Sequence, residues 1–308
     1  MTNQVAQPPS LSPANGLGTA PGAAAASSLP EWCPAWAERL GDAYLSGTSC
    51  VFLLHGNVRD LVPVAAPDAD GGATDAWGTV PDFLAREMFG RWDVVLGYDV
   101  GKGLRPLAGP DPARLRTMAQ WLTERLGNAA NWPRDPDQAI AAIDALLERN
   151  LIDPPDQRKR IAVVLDYAQY LAPAGDAAAG ARGGAGRLVR ILAWATNPLL
   201  RRVNVAVVLL ADSLAEMHPR LVANPAITAI DVPLPDGPER ERFALAAAAS
   251  AGMPADRTDA VKRTAALSAG LTLESLRAVI TLSAREGTAP DGPEFAAKKK
   301  DLIERSCN

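Results

Sequence analysis

Cysteine, histidine and acidic side chains are the groups from which this sequence could build a catalytic or metal site. The three cysteines and two histidines are widely scattered, which leaves too few ligands for a structural zinc site. His55 follows an apolar run and has Asp60 nearby, but no cysteine or serine can be named as its nucleophilic partner. Cys50 lies within the same run and is expected to face the core.

Several further apolar runs end in polar residues. The run ending at Leu165 is followed by Asp166, and the run ending at Leu210 is followed closely by Asp212 and Ser213. The run that contains Cys50 ends at His55-Gly56-Asn57. Each of these positions is a candidate for binding chemistry, and each is equally typical of a turn or of a residue that caps the next helix.

The elements that must position these residues alternate along the first 235 residues. Short, continuously apolar runs predict buried strands, and the segments between them carry helical spacing. This alternation predicts an α/β fold in which a five-stranded parallel sheet is covered by helices on both faces. The five predicted strands are 49–54, 92–98, 160–167, 205–210 and 227–232.

Helix signals and breaks divide the chain further. Asp111-Pro112 and Asp135-Pro136 predict helix starts, with Asp as the cap and Pro in the first turn. The stretch 63–79 indicates a surface loop in which Trp77 is exposed. After residue 236 only helical patterns are visible, at 238–251, 256–268 and 272–286. The predicted organisation is a disordered tail (1–30), an α/β domain (31–236), a small helical domain (237–290) and a basic connector (291–308).

Composition excludes several classes of protein. Of 308 residues, 48% are hydrophobic and 21% charged, with a net charge of −4, which argues against nucleic-acid binding by bulk electrostatics. The few cysteines argue against a disulfide scaffold and favour the cytoplasm. No run approaches the roughly 18 apolar residues of a membrane span, and the uncharged first 30 residues do not resemble a secretory signal.

The order of the polar positions resembles the AAA+ ATPase superfamily. Asp166 stands where the Walker B strand ends, and Asp212-Ser213 where the sensor 1 strand ends. The passage 230–243 is similar to the entry into the helical lid, and 270–277 to the lid helix that carries sensor 2. A closer resemblance is to the degenerate first AAA module of tandem proteins from cyanobacteria and plastids, in which a Lys-rich segment like 295–307 leads to a second module.

The resemblance implies a P-loop-NTPase-like sheet followed by a lid, and it assigns roles to particular residues. Asp166 would face Mg²⁺, but its neighbour is Tyr167, which cannot replace the Glu that activates water. No GxxxxGK[ST] cradle is present: Gly101-Lys102-Gly103 lacks the required spacing and indicates a turn, and Arg220 is the nearest candidate for an arginine finger. The implied vestigial nucleotide positions are Gly56, Asn57, Arg59, Asp166, Asp212 and Arg277.

The sequence therefore predicts a degenerate AAA+ module that acts as a non-hydrolysing scaffold or regulator, held by protein partners such as an active AAA+ ATPase. No cofactor is required, and ATP or ADP with Mg²⁺ is the ligand if nucleotide still binds. One alternative is an ATPase with an atypical site that a partner subunit completes. Another is an inactive AAA+ subunit of a nucleic-acid machine, with Arg201-Arg202 and Lys298-Lys299-Lys300 as its candidate phosphate contacts.

Overall fold

The computed structural model describes residues 32–64, 77–175, 182–292, 295, 299 and 300. They form two compact units. The first unit contains the described residues up to Val58 together with Pro81–Val232. The second unit contains the described residues of Arg59–Val80 and those from Pro233 onward. The predicted tail, 1–30, and most of the predicted connector lie outside the described residues.

A mostly parallel sheet forms the centre of the first unit. Its strands are β1 (Val51–Gly56), β4 (Val94–Asp99), β5 (Gly103–Pro106), β6 (Ile161–Leu165), β7 (Val205–Ala211) and β8 (Ile227–Val232). The spatial order is β5-β4-β6-β7-β1-β8. All neighbours are parallel except β5, which pairs antiparallel with β4. The five predicted parallel strands are confirmed, and β5 is an edge strand that its short Gly-Leu-Arg-Pro sequence did not predict.

Helices accompany this sheet. They are α1 (Ala35–Leu45), α2 (Val80–Phe83, continued by a π-helical turn over Leu84–Met88), α3 (Pro112–Leu126), α4 (Pro136–Ile152), α5 (Arg182–Thr196) and α6 (Pro219–Val222). The predicted caps of α3 and α4 are confirmed. Asp111 Oδ1 accepts the N–H groups of two residues in the first turn, at 2.9 and 3.1 Å, and Asp135 Oδ1 does the same at 3.1 and 3.0 Å.

Burial of β1 on both faces explains its apolar sequence. Val51 and Leu53 belong to a core cluster with side chains of α4 and α5, such as Ile143 and Ile191. Successive side chains of a strand point to opposite faces, so Phe52 and Leu54 face the other side of the sheet, where both are fully buried. A strand covered on both faces is continuously apolar, which is the pattern that predicted it.

The second unit combines a two-stranded ribbon with three helices. β2 (Leu61–Pro63) pairs antiparallel with β3 (Trp77–Thr79), and the helices are α7 (Gly237–Ser250), α8 (Thr258–Leu267) and α9 (Leu273–Glu286). The predicted exposure of Trp77 is wrong, because its ring packs edge-on against Phe243 at 5.0 Å between centroids. The sequence had assigned this ribbon to the first domain, whereas it groups with the C-terminal helices.

Asp60 joins the ribbon segment to α9. This carboxylate is only 2% exposed and accepts the backbone N–H groups of Leu273 (2.8 Å) and Glu274 (3.0 Å). The Thr272 side chain accepts the N–H of Ser275 at 3.1 Å. Three of the N–H groups that a helix N-terminus leaves without intrahelical partners are thus satisfied, two of them by a residue more than 200 positions away in sequence.

A second carboxylate, Glu239, lies in the first turn of α7. Asp236 accepts the N–H of Glu239 at 2.7 Å, and the Glu239 carboxylate is hydrogen-bonded to the backbone of Asp236, which together form a capping box. Burial, followed by repulsion from Asp236, raises the pKa of Glu239 from 4.5 to about 7; Asp60 adds a smaller repulsion and Arg242 opposes it. Near neutral pH this side chain is therefore partly protonated.

Among the described residues, no helix is long and apolar enough to cross a membrane.

Replacing Asp60 by Ala is expected to open the first turn of α9. Buried hydrogen bonds to a charged acceptor contribute about 1.5–3 kcal/mol, so amide hydrogen exchange in this turn should accelerate at least tenfold. Asp135→Ala, which removes an exposed cap of α4, is the matched control and should cost about 1 kcal/mol. Unchanged exchange in α9 of the Asp60 variant would contradict the role given to Asp60.

Glu239→Gln should make the protein more stable at pH 8 than the wild type and leave its stability nearly unchanged at pH 4.5. Between pH 4.5 and about 7 the folded state keeps a proton that the unfolded state has lost, so the wild type loses stability as pH rises through this window. The expected gain at pH 8 is about 1–3 kcal/mol. Urea unfolding at both pH values measures it.

Glu241→Gln provides the control for this pH dependence. The side chain of Glu241 is about half exposed and lies 3.6 Å from the Lys262 ammonium, so its loss should change stability by less than about 1 kcal/mol. An equal response of the two variants to pH would contradict the assignment to Glu239.

Candidate functional site

The candidate residues of the first unit lie at the carboxyl ends of its parallel strands. Gly56 ends β1 and Asn57 follows it, Asp166 follows β6, and Asp212 follows β7. In open α/β sheets ligands bind at this edge. The geometry of each position decides whether an anionic ligand such as a phosphate fits there.

The loop after β1 uses its backbone donors internally. The N–H of Gly56 donates to the Asp212 carbonyl at 3.2 Å, and the N–H of Asn57 donates to the Val232 carbonyl at 2.8 Å. The next N–H, of Val58, donates to the Gly56 carbonyl at 2.7 Å. A phosphate-binding loop instead presents successive N–H groups to the ligand. Three consecutive donors at this edge are therefore committed to protein carbonyls.

The chain that follows this loop is extended rather than helical. After Asp60 it enters β2, and the next helix along the described chain is α2, four residues long, followed by its π-helical turn. A phosphate site of the P-loop type depends on the N-terminus of the helix that directly follows the loop, whose N–H groups and dipole attract the anion. That component is missing after β1.

Asp166 forms hydrogen bonds with nearby backbone groups. Its Oδ1 accepts the N–H of Tyr167 at 2.9 Å, and its N–H donates to the Tyr98 carbonyl at 2.8 Å. Tyr167 has a left-handed backbone with φ of 53° and is the one non-glycine residue with positive φ among those described. The residue is 41% exposed. A bulky residue seldom adopts this conformation, which therefore marks a strained turn at this edge.

Asp212 is exposed and linked to Gln169, a residue that sequence reasoning missed. The Nε2 of Gln169 donates to Asp212 Oδ2 at 2.8 Å, and Gln169 itself is only 6% exposed. Its Oε1 finds no hydrogen-bond partner among the described residues. No motif marks a glutamine in a turn. The neighbouring Ser213 accepts the N–H of Ala215 at 3.2 Å, which confirms the capping alternative for that residue.

Neither His55 nor Cys50 forms a nucleophilic site with the residues described. His55 Nδ1 lies 3.7 Å from Asp231 Oδ1 on the adjacent strand β8. Cys50 is buried, with its Sγ 3.6 Å from the Trp194 carbonyl, and burial raises the pKa of its thiol to about 11. The prediction that Cys50 faces the core is confirmed.

Two further candidates, Arg59 and Arg277, belong to the second unit. Arg59 begins the segment that contains β2 and β3. Arg277 lies on the exposed side of α9, where its guanidinium pairs with Glu274 at 2.5 Å, one helical turn away. Such an exposed pair contributes little to stability.

The remaining basic candidates have local structural partners. Gly101 and Lys102 donate their N–H groups to Asp99 Oδ1 at 3.0 and 2.7 Å, which closes the β4–β5 hairpin and confirms the predicted turn. Arg201 Nε donates to the Ala195 carbonyl, and Lys299 Nζ to the Leu267 carbonyl. Lys102 and Arg201 therefore lie in turns, and Lys299 contacts the end of α8, whereas Lys298 lies outside the described residues.

The described residues do not fit Mg²⁺-nucleotide. Mg²⁺ in nucleotide sites is bound by one or two carboxylates together with the phosphates. With the donors after β1 committed to protein carbonyls, Asp166 has no phosphate cradle beside it.

Gly56→Ala is expected to destabilise the protein by about 2–4 kcal/mol, because φ at Gly56 is +93° and an added Cβ would lie 2.9 Å from the Val232 carbonyl oxygen. Gly47→Ala is the control: φ is also positive, +67°, but the added Cβ meets nothing within 4 Å. It should cost about 1 kcal/mol. Equal urea-unfolding free energies for the two variants would contradict the close approach at Gly56.

No curated protein matches the chain. One solved structure that matches is a chain of the E. coli MS115-1 HORMA:CdnC:Trip13 complex, with 13% identity, coverage of 87% of this chain and 77% of that chain, and a TM-score of 0.46. A likeness of this degree assigns no activity.

Residues 20–233, more than half of the chain, match the family described as "AAA+ chaperone, N-terminal Rossmann-like domain". The resemblance to AAA+ proteins is thereby confirmed, and the chain belongs to this AAA+ chaperone family.

Proposed function

We propose that this chain is a degenerate AAA+ module that does not hydrolyse ATP and serves as a scaffold or regulatory subunit in a protein assembly. One observation carries the proposal: the N–H groups of Gly56, Asn57 and Val58, at the position of the phosphate cradle, donate to protein carbonyls. A nucleotide would have to break these bonds before its phosphates could be bound.

At three further positions the chain lacks a group that ATP hydrolysis needs. Tyr167 stands in place of the residue that activates water, and a phenol does not act as a general base as a carboxylate does. Asp212, at the sensor 1 position, is a carboxylate that would repel a phosphate. No arginine directly precedes β8, and an arginine finger contributes about 10³–10⁵ in rate. Loss of binding, water activation and charge neutralisation together supports an inactive site.

The proposed module keeps the architecture while the site is vestigial. Gly56, Asn57, Arg59, Asp166, Asp212 and Arg277 mark the former nucleotide positions, and neither ATP nor Mg²⁺ is required for the proposed role. The tail (1–30) and the basic connector (291–308) would flank the two folded units. A connector of this kind resembles the one that leads to a second AAA module in the tandem proteins, so an active AAA+ ATPase is a fitting partner in the cytoplasm.

Thermal melting with and without millimolar Mg-ATP or Mg-ADP tests the proposal. A ligand at about 100 times its dissociation constant stabilises a fold by roughly 2.7 kcal/mol, which would raise the Tm by several degrees. We expect no shift with either nucleotide and no phosphate release.

Asp166→Ala and Arg277→Ala separate this proposal from the alternative of an atypical ATPase. If the site is vestigial, each variant melts identically with and without nucleotide, as the wild type does. A shift in the wild type that both variants abolish would show that the site binds Mg-nucleotide and would overturn the proposal. Melts repeated with a partner ATPase, once one is known, apply the same comparison to the assembly.

A further inference from the structure

Gln169 carries a buried polar atom that its surroundings do not satisfy. The residue is 6% exposed, and its Oε1 has no hydrogen-bond partner among the residues that the structure describes. Its Nε2 donates to Asp212 Oδ2 at 2.8 Å. Exchange of the two amide atoms would place an oxygen against the carboxylate, so this contact fixes the orientation of the amide. Oε1 belongs to the same amide group and lies close to Asp212, where an unpaired buried acceptor calls for a donor.

The turn that contains Gln169 is strained as well. After β6 the chain forms a short 3₁₀ turn, Ala168–Tyr170, and the residue before it is Tyr167 with φ of 53°. Strain of this kind persists only where the surrounding structure enforces it, and it is concentrated at binding sites and switch regions. The unpaired oxygen and the strained backbone are two independent observations on the same turn.

The surroundings of this turn are acidic. Asp166 precedes the turn, Asp212 accepts a hydrogen bond from it, and the carbonyl of Glu216 accepts an N–H from the segment that follows it. Asp212 and Glu216 are exposed. Arg187 donates to the carbonyl at the end of the turn, but its guanidinium also pairs with Asp137 at 3.0 Å. The turn therefore presents oxygen acceptors and negative charge.

We propose that Asp212 and Gln169 bind a guanidinium group beside the ring of Tyr167, and that this group is the end of an arginine side chain of a protein partner. The Asp212 carboxylate and Gln169 Oε1 would accept two N–H groups of the fork-shaped guanidinium. A carboxylate accepts several hydrogen bonds at once. The terminal torsion of glutamine is soft, so a small rotation turns Oε1 toward a donor bound at Asp212.

The exposure of the turn favours arginine from a larger partner. Tyr167 is 41% exposed and Tyr170 is 66% exposed, and their ring centroids lie 6.4 Å apart. A guanidinium is planar and stacks on aromatic rings, whereas an ammonium is a compact, strongly hydrated charge. An open surface contacts only the end of a ligand, which suits a side chain held by a partner. This inference deepens the scaffold role and rests on it, because it assigns this edge to a partner rather than to a nucleotide.

Water and Mg²⁺ are the competing ligands. Water would donate to the same oxygens, but it carries no charge to offset the carboxylates of Asp166 and Asp212. Mg²⁺ would bind the carboxylates but leave the ring of Tyr167 without a role. A guanidinium uses the acceptors, the charge and the ring together.

Titration of the full chain with the peptide acetyl-Gly-Arg-Gly-amide tests the proposal. The signals to follow by NMR are those of the Gln169 side-chain amide and of the backbone amides of its turn. The matched control peptide contains citrulline, which replaces the guanidinium by a neutral urea of the same shape. We expect saturable shifts with the arginine peptide and about tenfold weaker binding of the citrulline and lysine peptides. No saturable shift, or equal binding of either control peptide, would overturn the proposal.

Two further titrations separate the possible sources of the signal. Free L-arginine carries a carboxylate that the acidic turn repels, so it should bind more weakly than the peptide. Tighter binding of the free amino acid would assign the site to a small molecule and overturn the proposal. Binding of the peptide should be the same in MgCl₂ as in NaCl of equal ionic strength, and its loss in MgCl₂ alone would assign the site to the metal.

Variants of the two acceptors locate the site. Gln169→Leu removes Oε1 at similar size, and Asp212→Asn removes the charge, so each should weaken binding of the arginine peptide about tenfold. Asp156→Asn is the matched control, because Asp156 is exposed in the loop before β6, at the opposite end of that strand, and affinity should be unchanged. Equal affinities of all three variants and the wild type would contradict the assignment.

Tyr167→Gly distinguishes a binding role from a structural one. Glycine adopts a φ of 53° without strain, so the variant should keep the stability of the wild type in urea unfolding. Loss of the ring should weaken binding of the peptide about threefold. Unchanged affinity would place the ring outside the site and overturn the proposal.

The nucleotide melts decide the scaffold proposal independently of this titration. A melting shift with Mg-ATP, together with saturable binding of the arginine peptide, would overturn the scaffold proposal alone. No melting shift and no peptide binding would overturn only the inference about Asp212 and Gln169.

Discussion

The hydrogen bonds of Gly56 and Asn57 are the constraint on which the candidate site depends. β1 lies between β7 and β8, and these two N–H groups donate to Asp212, just after β7, and to Val232, at the end of β8. The ladder on both sides of β1 is thereby continued to the residue after the strand. Each residue carries one backbone N–H, so a loop whose N–H groups already donate to protein carbonyls gives up the donors that a phosphate would need. Residues 57–64, which directly follow β1 and are all described, form no helix, so the electrostatic attraction of a helix N-terminus is lacking there as well.

The stability of the sheet does not depend on the residues of the candidate site. Aliphatic side chains such as Leu53, Val163 and Val207 are fully buried, and burial of apolar surface is the main stabilising term. None of these contacts requires a lysine in the loop after β1 or a glutamate after Asp166. One architecture can therefore host different activities.

Two carboxylates of the second unit, Asp60 and Glu239, affect its stability in opposite ways. Asp60 is buried and charge-assisted hydrogen bonds from the first turn of α9 compensate its burial. Glu239 is also partly buried, but it lies close to Asp236 and its pKa is raised to about 7. The first arrangement stabilises a helix N-terminus, and the second makes the stability of the unit depend on pH near neutrality.

The sequence by itself determined the five parallel strands, the starts of α3 and α4, and the lack of a GxxxxGK[ST] cradle, since all of these depend on residues that are neighbours along the chain. Apolar runs and Asp-Pro caps act locally. Only the tertiary structure decided that Asp60 caps α9, that Gln169 binds Asp212 and that the ribbon of β2 and β3 groups with the C-terminal helices. These contacts join residues that are distant in sequence, and no local pattern predicts them, because they form only when folding brings separate segments together.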